Sequence, residues 1–518
     1  MNKLHKITLS LLMLLGMVVT SCDMDKEPYG TLIENNAIES MNDIQRLRNQ
    51  MYNILRSRTS GTWITTTDLQ MDEFHGLISN GNRNGTISNG LFTASDADLE
   101  GFFASCYSGI ANANYLIEKA NTMKESDEFS DEDKVELDRY AADGYFTRAF
   151  LYFYLADHYC QPYNEEDADK PHLGVQIVTK YNPSGDLSSY PARSTLNETF
   201  TLIEEDLEKA YKGLKEYEAS DNSDVRPMSE YLTSYAVAAM QARVALVKGD
   251  YETALAKAEE VINSKVYTLA TAENFSEMWL NDNSTEIIFR PVQSVDEVVI
   301  GIGQEYLNTI GSETNADYIP TFDILALYDA GDVRFDAYFK VWNLVVEGVT
   351  YPAYTFQKYP GNVALRTGQV NNFANMSKPF RLAEQYLIAA EACASKATPD
   401  LAKGTNYLQT LISNRIEEDY LDEHQGNYTE AAALLKAVKD ERKRELLGEG
   451  FRFSDLRRWH QGFTRVANHA ENPDLNAVIV TIGASLKYAA DDYRFIWPIP
   501  KTELDSNPNL KGQQNPGY

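Results

Sequence analysis

The sequence is short of positive charge. Its 518 residues include 47 Lys and Arg against 76 Asp and Glu, so the formal net charge is −29 at pH 7. Contacts to nucleic-acid phosphates need clustered basic residues, so this balance argues against a nucleic-acid partner. It argues equally against anionic membrane surfaces and polyanionic ligands, and it predicts a soluble, non-aggregating surface.

Motifs of enzyme chemistry are also lacking. The seven histidines are scattered and no HExxH occurs, which argues against a catalytic zinc site. The chain has no GxSxG elbow and no P-loop. We therefore predict no catalytic residue, no metal and no cofactor. The carboxylate pair of a glycosidase has no fixed spacing in sequence, so a surface glycoside hydrolase remains an alternative.

Cysteine is scarce, and the first of the four cysteines ends an apolar run at residues 7–19. The run follows two lysines and is too short to span a bilayer, so residues 1–21 are predicted to be a secretory signal peptide. Residues 19–22 (VTSC) resemble a bacterial lipobox, which implies cleavage before Cys22 and a lipid anchor on its thiol. The other cysteines are predicted to be buried small hydrophobes, with a reactive thiol as the alternative: Cys106, Cys160 and Cys393.

The chain is rich in helical periodicity. In residues 231–262, small apolar residues recur at three- and four-residue spacing on both sides of Gly249. This pattern predicts an antiparallel helical hairpin that resembles a tetratricopeptide repeat. One such hairpin cannot bury its apolar face alone, so neighbours must stack on it. Similar stripes predict three more pairs: 44–55 with 99–120, 140–159 with 196–214, and 381–394 with 401–415.

The predicted fold class is therefore mostly α: a tetratricopeptide-like solenoid of helical hairpins, with about four repeats. Long irregular, partly β insertions separate the hairpins and are expected to form a ligand face, because scaffolds carry function in their loops. Residues 59–95 are predicted to be the first long loop. The second insertion precedes residue 381, with short strands at 286–292 and 296–302 and a hairpin that pairs 341–346 with 350–356.

The two insertions contain the side chains that a neutral polyol such as a sugar requires. Sugar hydroxyls need bidentate polar partners, and sugar C–H faces need an aromatic ring. We predict that residues 72–92 and 292–359 come together on one face. The predicted stacking rings are Tyr306, Tyr318 and Trp342, and the predicted hydroxyl partners are Asp72, His75, Asn80 and Arg83. The alternative is a surface hairpin without a ligand, with aromatics that only pack.

The C-terminal part combines mixed charges with a proline-rich tail. Residues 431–459 carry acids and arginines in close succession, which predicts a structural ion network rather than a catalytic one. Residues 497–518 are too rich in proline for a helix, so they are predicted to lie extended on the body or to be disordered. Three apolar side chains are expected to pin this tail to the body: Trp497, Ile499 and Leu510.

Several stretches, taken in order, resemble the SusD/RagB family of nutrient-binding outer-membrane lipoproteins of Bacteroidetes. They are the lipobox at Cys22, RAFLYFYLADHY at 148–159, RLAEQYLIAAEA at 381–392, ERKRELLGEGFRFSDLRRW at 441–459, and PIPKTEL and NPNLKGQQNPGY within 498–518. The resemblance implies one domain over residues 22–518. Its N-terminal part covers about 22–215 and its C-terminal part about 228–518.

The same resemblance implies a function. A member of this family is lipid-anchored on the cell surface and captures a glycan or oligosaccharide without hydrolysing it. Its partner is a TonB-dependent, SusC-like outer-membrane transporter, on which it sits as a lid. The shared motifs are scaffold motifs, so the resemblance names no particular glycan. A helical-repeat lipoprotein that binds a peptide or protein remains an alternative.

Overall fold

The computed structural model of the protein describes residues 38–81, 83–297, 301–310, 313–466 and 473–518. The predicted signal peptide and Cys22 lie outside these residues. The helices, in chain order, are α1 (Met41–Arg58), α2 (Thr62–Gln70), α3 (Gly85–Ser88), α4 (Ala97–Glu125), α5 (Asp131–Tyr159), α6 (Leu196–Ser220), α7 (Ser234–Lys248), α8 (Tyr251–Asn263), α9 (Phe275–Leu280), α10 (Phe322–Leu325), α11 (Val333–Tyr338), α12 (Leu382–Ser395), α13 (Leu401–Ser413), α14 (Ala431–Glu445), α15 (Arg452–Arg458) and α16 (Lys501–Ser506).

The strands are short and pair two by two, all antiparallel. The pairs are β1 with β5, β2 with β8, β3 with β4, β6 with β7, and β9 with β10. In chain order the strands are β1 (Phe74–Gly76), β2 (Ile287–Phe289), β3 (Leu307–Ile310), β4 (Glu313–Ala316), β5 (Tyr318–Pro320), β6 (Phe339–Val346), β7 (Val349–Phe356), β8 (Phe380–Arg381), β9 (Phe463–Arg465) and β10 (Leu486–Tyr488).

The hairpin predicted over residues 231–262 is formed by α7 and α8. Gly249 ends α7 with φ of 82°, a left-handed conformation that glycine adopts without strain. Asp250 then caps α8 by accepting a hydrogen bond from the Thr253 amide. The alanines at the spacing that predicted the hairpin are buried on both helices, including Ala238, Ala242, Ala254 and Ala258.

Neighbouring helices stack on this hairpin and confirm the solenoid. Consecutive helices from α4 to α8 pack against one another, α12 packs on α8 and pairs with α13, and α1 packs on α4 and α5. Small residues allow this close approach. A Cβ added at Gly109 of α4 would lie 2.5 Å from the Leu151 side chain, and one at Gly144 of α5 would lie 2.8 Å from Ile117. Cys106, Cys160 and Cys393 are buried, as predicted.

The interpretation of residues 59–95 as a loop is wrong over α2. Six of its nine residues are buried, although three of them are threonines. Thr65 and Thr67 satisfy their hydroxyls by donating to the carbonyls of Gly61 and Ile64. Threonine is not an apolar residue, so this buried, threonine-rich helix shows no apolar periodicity. The sequence pattern therefore did not reveal it.

The strand predicted at residues 296–302 is also absent from its described part. β2 confirms the first predicted strand, but Val295–Glu297 and Ile302–Glu305 form short 3₁₀ turns, and residues 298–300 lie outside the described part. Gly301 and Gly303 press directly on neighbouring backbone. An added Cβ would lie 2.3 Å from the carbonyl oxygen of Asn372 or Tyr359. The segment therefore packs against other backbone instead of joining a ladder.

The ion network predicted in the C-terminal part is present and buried. At its centre the Glu445 carboxylate lies between three guanidinium groups, 3.0 Å from Arg334, 2.8 Å from Arg381 and 2.9 Å from Arg415. Glu286 joins Arg381 and Arg415 at 2.6 and 2.8 Å. The side chains of these five residues are at most 1% exposed. The network therefore ties α12 and α14 to the second insertion.

The C-terminal tail is pinned as predicted. Trp497, Ile499 and Leu510 are buried, and Trp497 donates its indole N–H to the Gln70 side chain at 3.0 Å. The Asn515 amide donates to the carbonyl of Tyr159 at 2.8 Å. One detail of the prediction is wrong, because the tail contains the short helix α16. Pro498 and Pro500 precede this helix and Pro508 and Pro516 follow it, so no proline interrupts its hydrogen bonds.

Candidate ligand face

The two predicted insertions meet. β1 of the first insertion pairs antiparallel with β5 of the second, with Phe74 opposite Pro320 and Gly76 opposite Tyr318. The backbone continues this contact, since the Leu77 amide donates to the Asp317 carbonyl at 2.9 Å. We call the surface around this junction the ligand face. It comprises the first insertion from Asp72 to Arg83, the β3–β5 segment, and the β6–β7 hairpin.

A third segment, which the sequence analysis missed, supports the ligand face. The Ile78 amide donates to the Val478 carbonyl, and the Val480 amide donates to the Gly76 carbonyl, at 2.9 and 2.8 Å. Residues 473–488 thus add a further layer beside β1. This stretch has neither helical nor alternating periodicity, so no pattern in the sequence indicated its position.

Arg465 holds these segments together. Its buried guanidinium donates to the carbonyls of Leu69, Met71 and Phe74 at 3.0 to 3.2 Å, and to Gly483 at 2.8 Å. Burial lowers the pKa of Arg465 to about 10, so the group stays charged at neutral pH. Five donors in a fixed fork suit several converging carbonyls. A lone arginine in an irregular stretch gives no advance signal of this role.

Asp72 points into the scaffold and is already paired. Its carboxylate lies 2.8 Å from the Lys443 ammonium and 2.8 Å from the Arg452 guanidinium. Burial alone would raise the pKa of Asp72, but these two cations outweigh burial and hold it well below its usual range. The residue therefore fastens the first insertion to α14 and α15. In this conformation it is not available as the predicted hydroxyl partner.

His75 is enclosed as well. It is 2% exposed and lies in β1 opposite Ile319. The groove that it lines has a volume of about 10 Å³, which is close to the lower limit for one water molecule. A sugar hydroxyl cannot reach His75 in this conformation, so its predicted role is wrong here. A period-two pattern three residues long was too short to tell which side chains face inward.

The predicted stacking role of Tyr306 and Tyr318 is wrong for the same reason. Tyr306 is fully buried against Phe74 and Phe356, with ring centroids 4.9 and 4.7 Å away. Tyr318 is 1% exposed, and its hydroxyl donates to the Arg83 carbonyl. Both rings belong to a hydrophobic core that lies under the ligand face and is separate from the core between the helices. They support this surface from below and offer no ring face to a ligand.

Arg83 lies at the surface, in a polar cluster. Its side chain is 38% exposed and its guanidinium lies 2.7 Å from the Asp317 carboxylate. The same guanidinium donates to the carbonyls of Gln304 and Glu305, and the Asn308 amide donates to Asp317. Burial raises the pKa of Asp317, and Arg83 offsets this only in part. The cluster joins a guanidinium, a carboxylate and an amide where the insertions meet.

Trp342 is less enclosed than the two tyrosines. It lies on β6, on the same face as the buried residues Leu344 and Val346, and it is only half-buried. The hairpin forms as predicted, around Glu347 and Gly348, which have φ of 50° and 80°. Asn80 lies in the 3₁₀ turn Ile78–Asn80 between β1 and Arg83, and its role stays a prediction.

Glu73 lies just before β1 and is 1% exposed. Burial raises its pKa to about 8, and the charge of Asp72 adds to the effect. The folded protein therefore holds a proton that the unfolded chain releases above its ordinary pKa of 4.5. Linkage then requires that the contribution of Glu73 to the free energy of unfolding falls as pH rises from about 4.5 to 8.

Replacing Glu73 with Gln should remove this pH dependence. We expect Glu73→Gln to match the parent near pH 4.5 and to exceed it by about 1 kcal/mol or more at pH 8, since one pKa unit corresponds to about 1.4 kcal/mol. Urea unfolding at pH 4.5, 6.5 and 8 measures the difference. Glu118→Gln, on the exposed side of α4, is the matched control. A constant gap between parent and variant across pH would contradict the prediction.

Two further features bear on the site. Within the described ranges, no helix is both long enough and apolar enough to cross a membrane. Among the same residues, no group of three or more His, Cys, Asp or Glu side chains is placed to hold a metal ion.

Comparison with known families assigns the scaffold. Residues 24–246 match the family described as starch-binding associating with outer membrane, and residues 345–518 match the SusD family. The SusD-like protein P2 of Formosa agariphila is 26% identical over the whole length of both chains. The chain belongs to the SusD/RagB family.

Solved structures agree with this assignment. A SusD superfamily protein of Bacteroides thetaiotaomicron is 26% identical and superposes with a TM-score of 0.75, covering 92% of this chain and 100% of its own. A protein of Bacteroides vulgatus described as a putative sugar binding protein is also 26% identical. Its TM-score is 0.74, with coverage of 93% and 99%.

Proposed function

We propose that this protein is a cell-surface lipoprotein that captures a neutral glycan or oligosaccharide at the ligand face. It would deliver the glycan to a TonB-dependent transporter of the outer membrane and would not hydrolyse it. The observations that support capture are the polar cluster of Arg83, Asp317 and Asn308 where the insertions meet, and the half-buried Trp342 on the β6–β7 hairpin. The outer-membrane description of the family and the sugar-binding description of a 26% identical relative point the same way.

The chemistry of the cluster fits sugar hydroxyls. A sugar hydroxyl can accept a hydrogen bond from the Arg83 guanidinium, whose side chain is 38% exposed. The Trp342 ring offers an apolar surface to the C–H face of a sugar. Because the net charge of the chain is −29, a neutral glycan is favoured over an anionic one. In this proposal Asn80 adds an amide from the neighbouring turn.

The proposal also includes the anchor and the partner. Lipidation of Cys22 would hold the protein at the outer membrane after removal of residues 1–21, and the ligand face would then close over the transporter. Labelling with a radioactive or alkyne-tagged fatty acid tests the anchor. Incorporation into the parent and none into Cys22→Ala is expected. Equal labelling of both proteins would overturn the anchor.

Removal of the Trp342 ring should weaken glycan binding. If the ring is an anchor, Trp342→Ala should cost about 1–3 kcal/mol of binding free energy, which corresponds to roughly 5- to 150-fold in Kd. A glycan array on residues 23–518 identifies the ligand, and calorimetric titration then measures the affinity.

The same hairpin offers a matched control for this measurement. Tyr354 lies on the outward side of the hairpin, opposite Val341, and is 36% exposed. Tyr354→Ala is expected to bind the glycan like the parent. Equal affinity of Trp342→Ala and the parent would remove Trp342 from the site, and equal losses in both variants would point to general damage of the hairpin.

A further inference from the structure

A second cavity lies inside the solenoid, where α1, α2, α5, α7, α14 and α15 approach one another. Its volume is about 130 Å³. Arg83, Asp317 and Trp342 are not among its lining residues, so it is separate from the proposed glycan site. Part of its wall is half-buried rather than buried, including Trp63, Val247 and Phe451.

The cavity as a whole is about the size of one aromatic ring. Its wall includes Trp63, Phe150, Leu246, Val247 and Phe451. A cavity of about 150 Å³ with a comparable apolar lining holds one benzene molecule. The cavity is therefore about large enough for a single aromatic ring, and charged side chains also line it.

One cationic side chain in the cavity wall, Arg58, has no acidic partner among the described residues. Among its lining residues, Arg243 is paired with Glu384 at 2.7 Å, and Lys378 with Asp282 at 2.7 Å. Arg58, by contrast, forms no ion pair with a described acid, and its guanidinium lies 4.7 Å from the centre of the Trp63 ring.

Three hydrogen-bond donors at this cavity have no acceptor among the described residues. They are Nε of Arg58, the hydroxyl of Tyr154 and Nη1 of Arg442. Tyr154 and Arg442 are only 8% and 3% exposed. A buried donor without an acceptor costs about 1–3 kcal/mol, so an acceptor supplied by a ligand would be stabilising. All three groups can donate a hydrogen bond to an oxygen acceptor. The Arg58 guanidinium, which has no acidic partner, favours an acceptor with a negative charge.

The neighbouring titratable groups do not supply that charge. The Asp157 carboxylate is already bound by Ser454 and Arg457, at 3.0 and 3.1 Å. Burial lowers the pKa of His158 to about 4, so its ring is neutral at pH 7. Its Nδ1 donates to the Tyr154 carbonyl at 2.8 Å, since a carbonyl can only accept. Asp455 and Glu449 are held by arginine or lysine side chains.

We propose that this cavity binds a small aryl carboxylate. The carboxylate pairs with the Arg58 guanidinium and accepts from the Tyr154 hydroxyl, and Arg442 faces its second oxygen. The aromatic body lies between Trp63 and Phe150. The protein would thus bind two chemically different ligands, a neutral glycan on its outer face and an anionic aromatic acid inside its helical scaffold.

The experiment uses phenylacetate as the probe, on residues 23–518, with ligand-observed NMR titration at pH 7. We expect saturable binding by the parent and roughly tenfold or weaker binding by Arg58→Met, which keeps the apolar stem but removes the charge. Tyr154→Phe removes only the hydroxyl and is expected to weaken binding several-fold. Phenylacetamide, which has the same ring but no charge, is expected to bind at least tenfold more weakly than phenylacetate.

Two controls keep the result specific. Arg46→Met changes an exposed arginine on the same helix and should bind phenylacetate like the parent, and so should Trp342→Ala. Circular dichroism establishes that each variant is folded. The proposal is overturned if the parent shows no saturable binding, or if folded Arg58→Met and Tyr154→Phe both bind like the parent.

Discussion

Replacing Glu445 with Gln should lower the free energy of unfolding by about 3–5 kcal/mol. The change keeps the shape of the side chain and removes one negative charge from among Arg334, Arg381 and Arg415. Burial alone would raise the pKa of Glu445, but these guanidinium groups outweigh it and hold the pKa well below its usual range. The three arginines would be left with less charge compensation in a buried site, which is strongly unfavourable.

Urea unfolding followed by circular dichroism measures this effect. The control is Asp440→Asn on the same helix, which removes an exposed ion pair with Lys436 at 2.7 Å. Exposed pairs contribute little, so the control should lose no more than about 0.5 kcal/mol. If the two variants lost the same small amount, the buried network would not be a principal source of stability.

Trp497→Ala is the second variant with a large expected effect. The indole is fully buried, and its ring lies 5.5 Å from the ring of Tyr159 and 5.8 Å from that of Phe102. Truncation leaves a cavity and removes the donor to Gln70, so we expect a loss of about 3–5 kcal/mol. The tail would also lose its main attachment to the body of the protein.

Two measurements test the effect of Trp497→Ala. Urea unfolding gives the free energy, and limited proteolysis reports whether residues 498–518 are released from the folded body. Lys511→Ala, which changes an exposed side chain within the tail, is the control and should lose much less. A loss below about 1 kcal/mol for Trp497→Ala, with unchanged proteolysis, would contradict the account of the tail.

The helical scaffold could be predicted because its signals are local and repetitive. Small residues at three- and four-residue spacing around Gly249 indicated the α7–α8 hairpin, and the same spacing located its neighbours. The acids and arginines in close succession over residues 431–459 predicted the ion network. By contrast, α2 is buried through threonines, and threonine carries no apolar signal.

The ligand face could be predicted only in outline. The sequence indicated two insertions, and the pairing of β1 with β5 joins them. It did not indicate which side chains turn inward, because the strands are too short for a period-two pattern. Tyr306, Tyr318 and His75 consequently belong to the interior. Arg465 donates to backbone carbonyls, and residues 473–488 pair through backbone hydrogen bonds. No pattern of side chains in the sequence reveals such contacts.

The central claim is that the protein binds a glycan at the ligand face and does not hydrolyse it. The most direct test incubates residues 23–518 with a fluorescently labelled glycan selected on an array, and follows both binding and chain length over time. We predict saturable binding, no shortening of the glycan, and markedly weaker binding by Trp342→Ala than by Tyr354→Ala. Shortened products would identify a glycoside hydrolase, and binding of peptides but of no glycan would identify a peptide-binding protein; either result would contradict the claim.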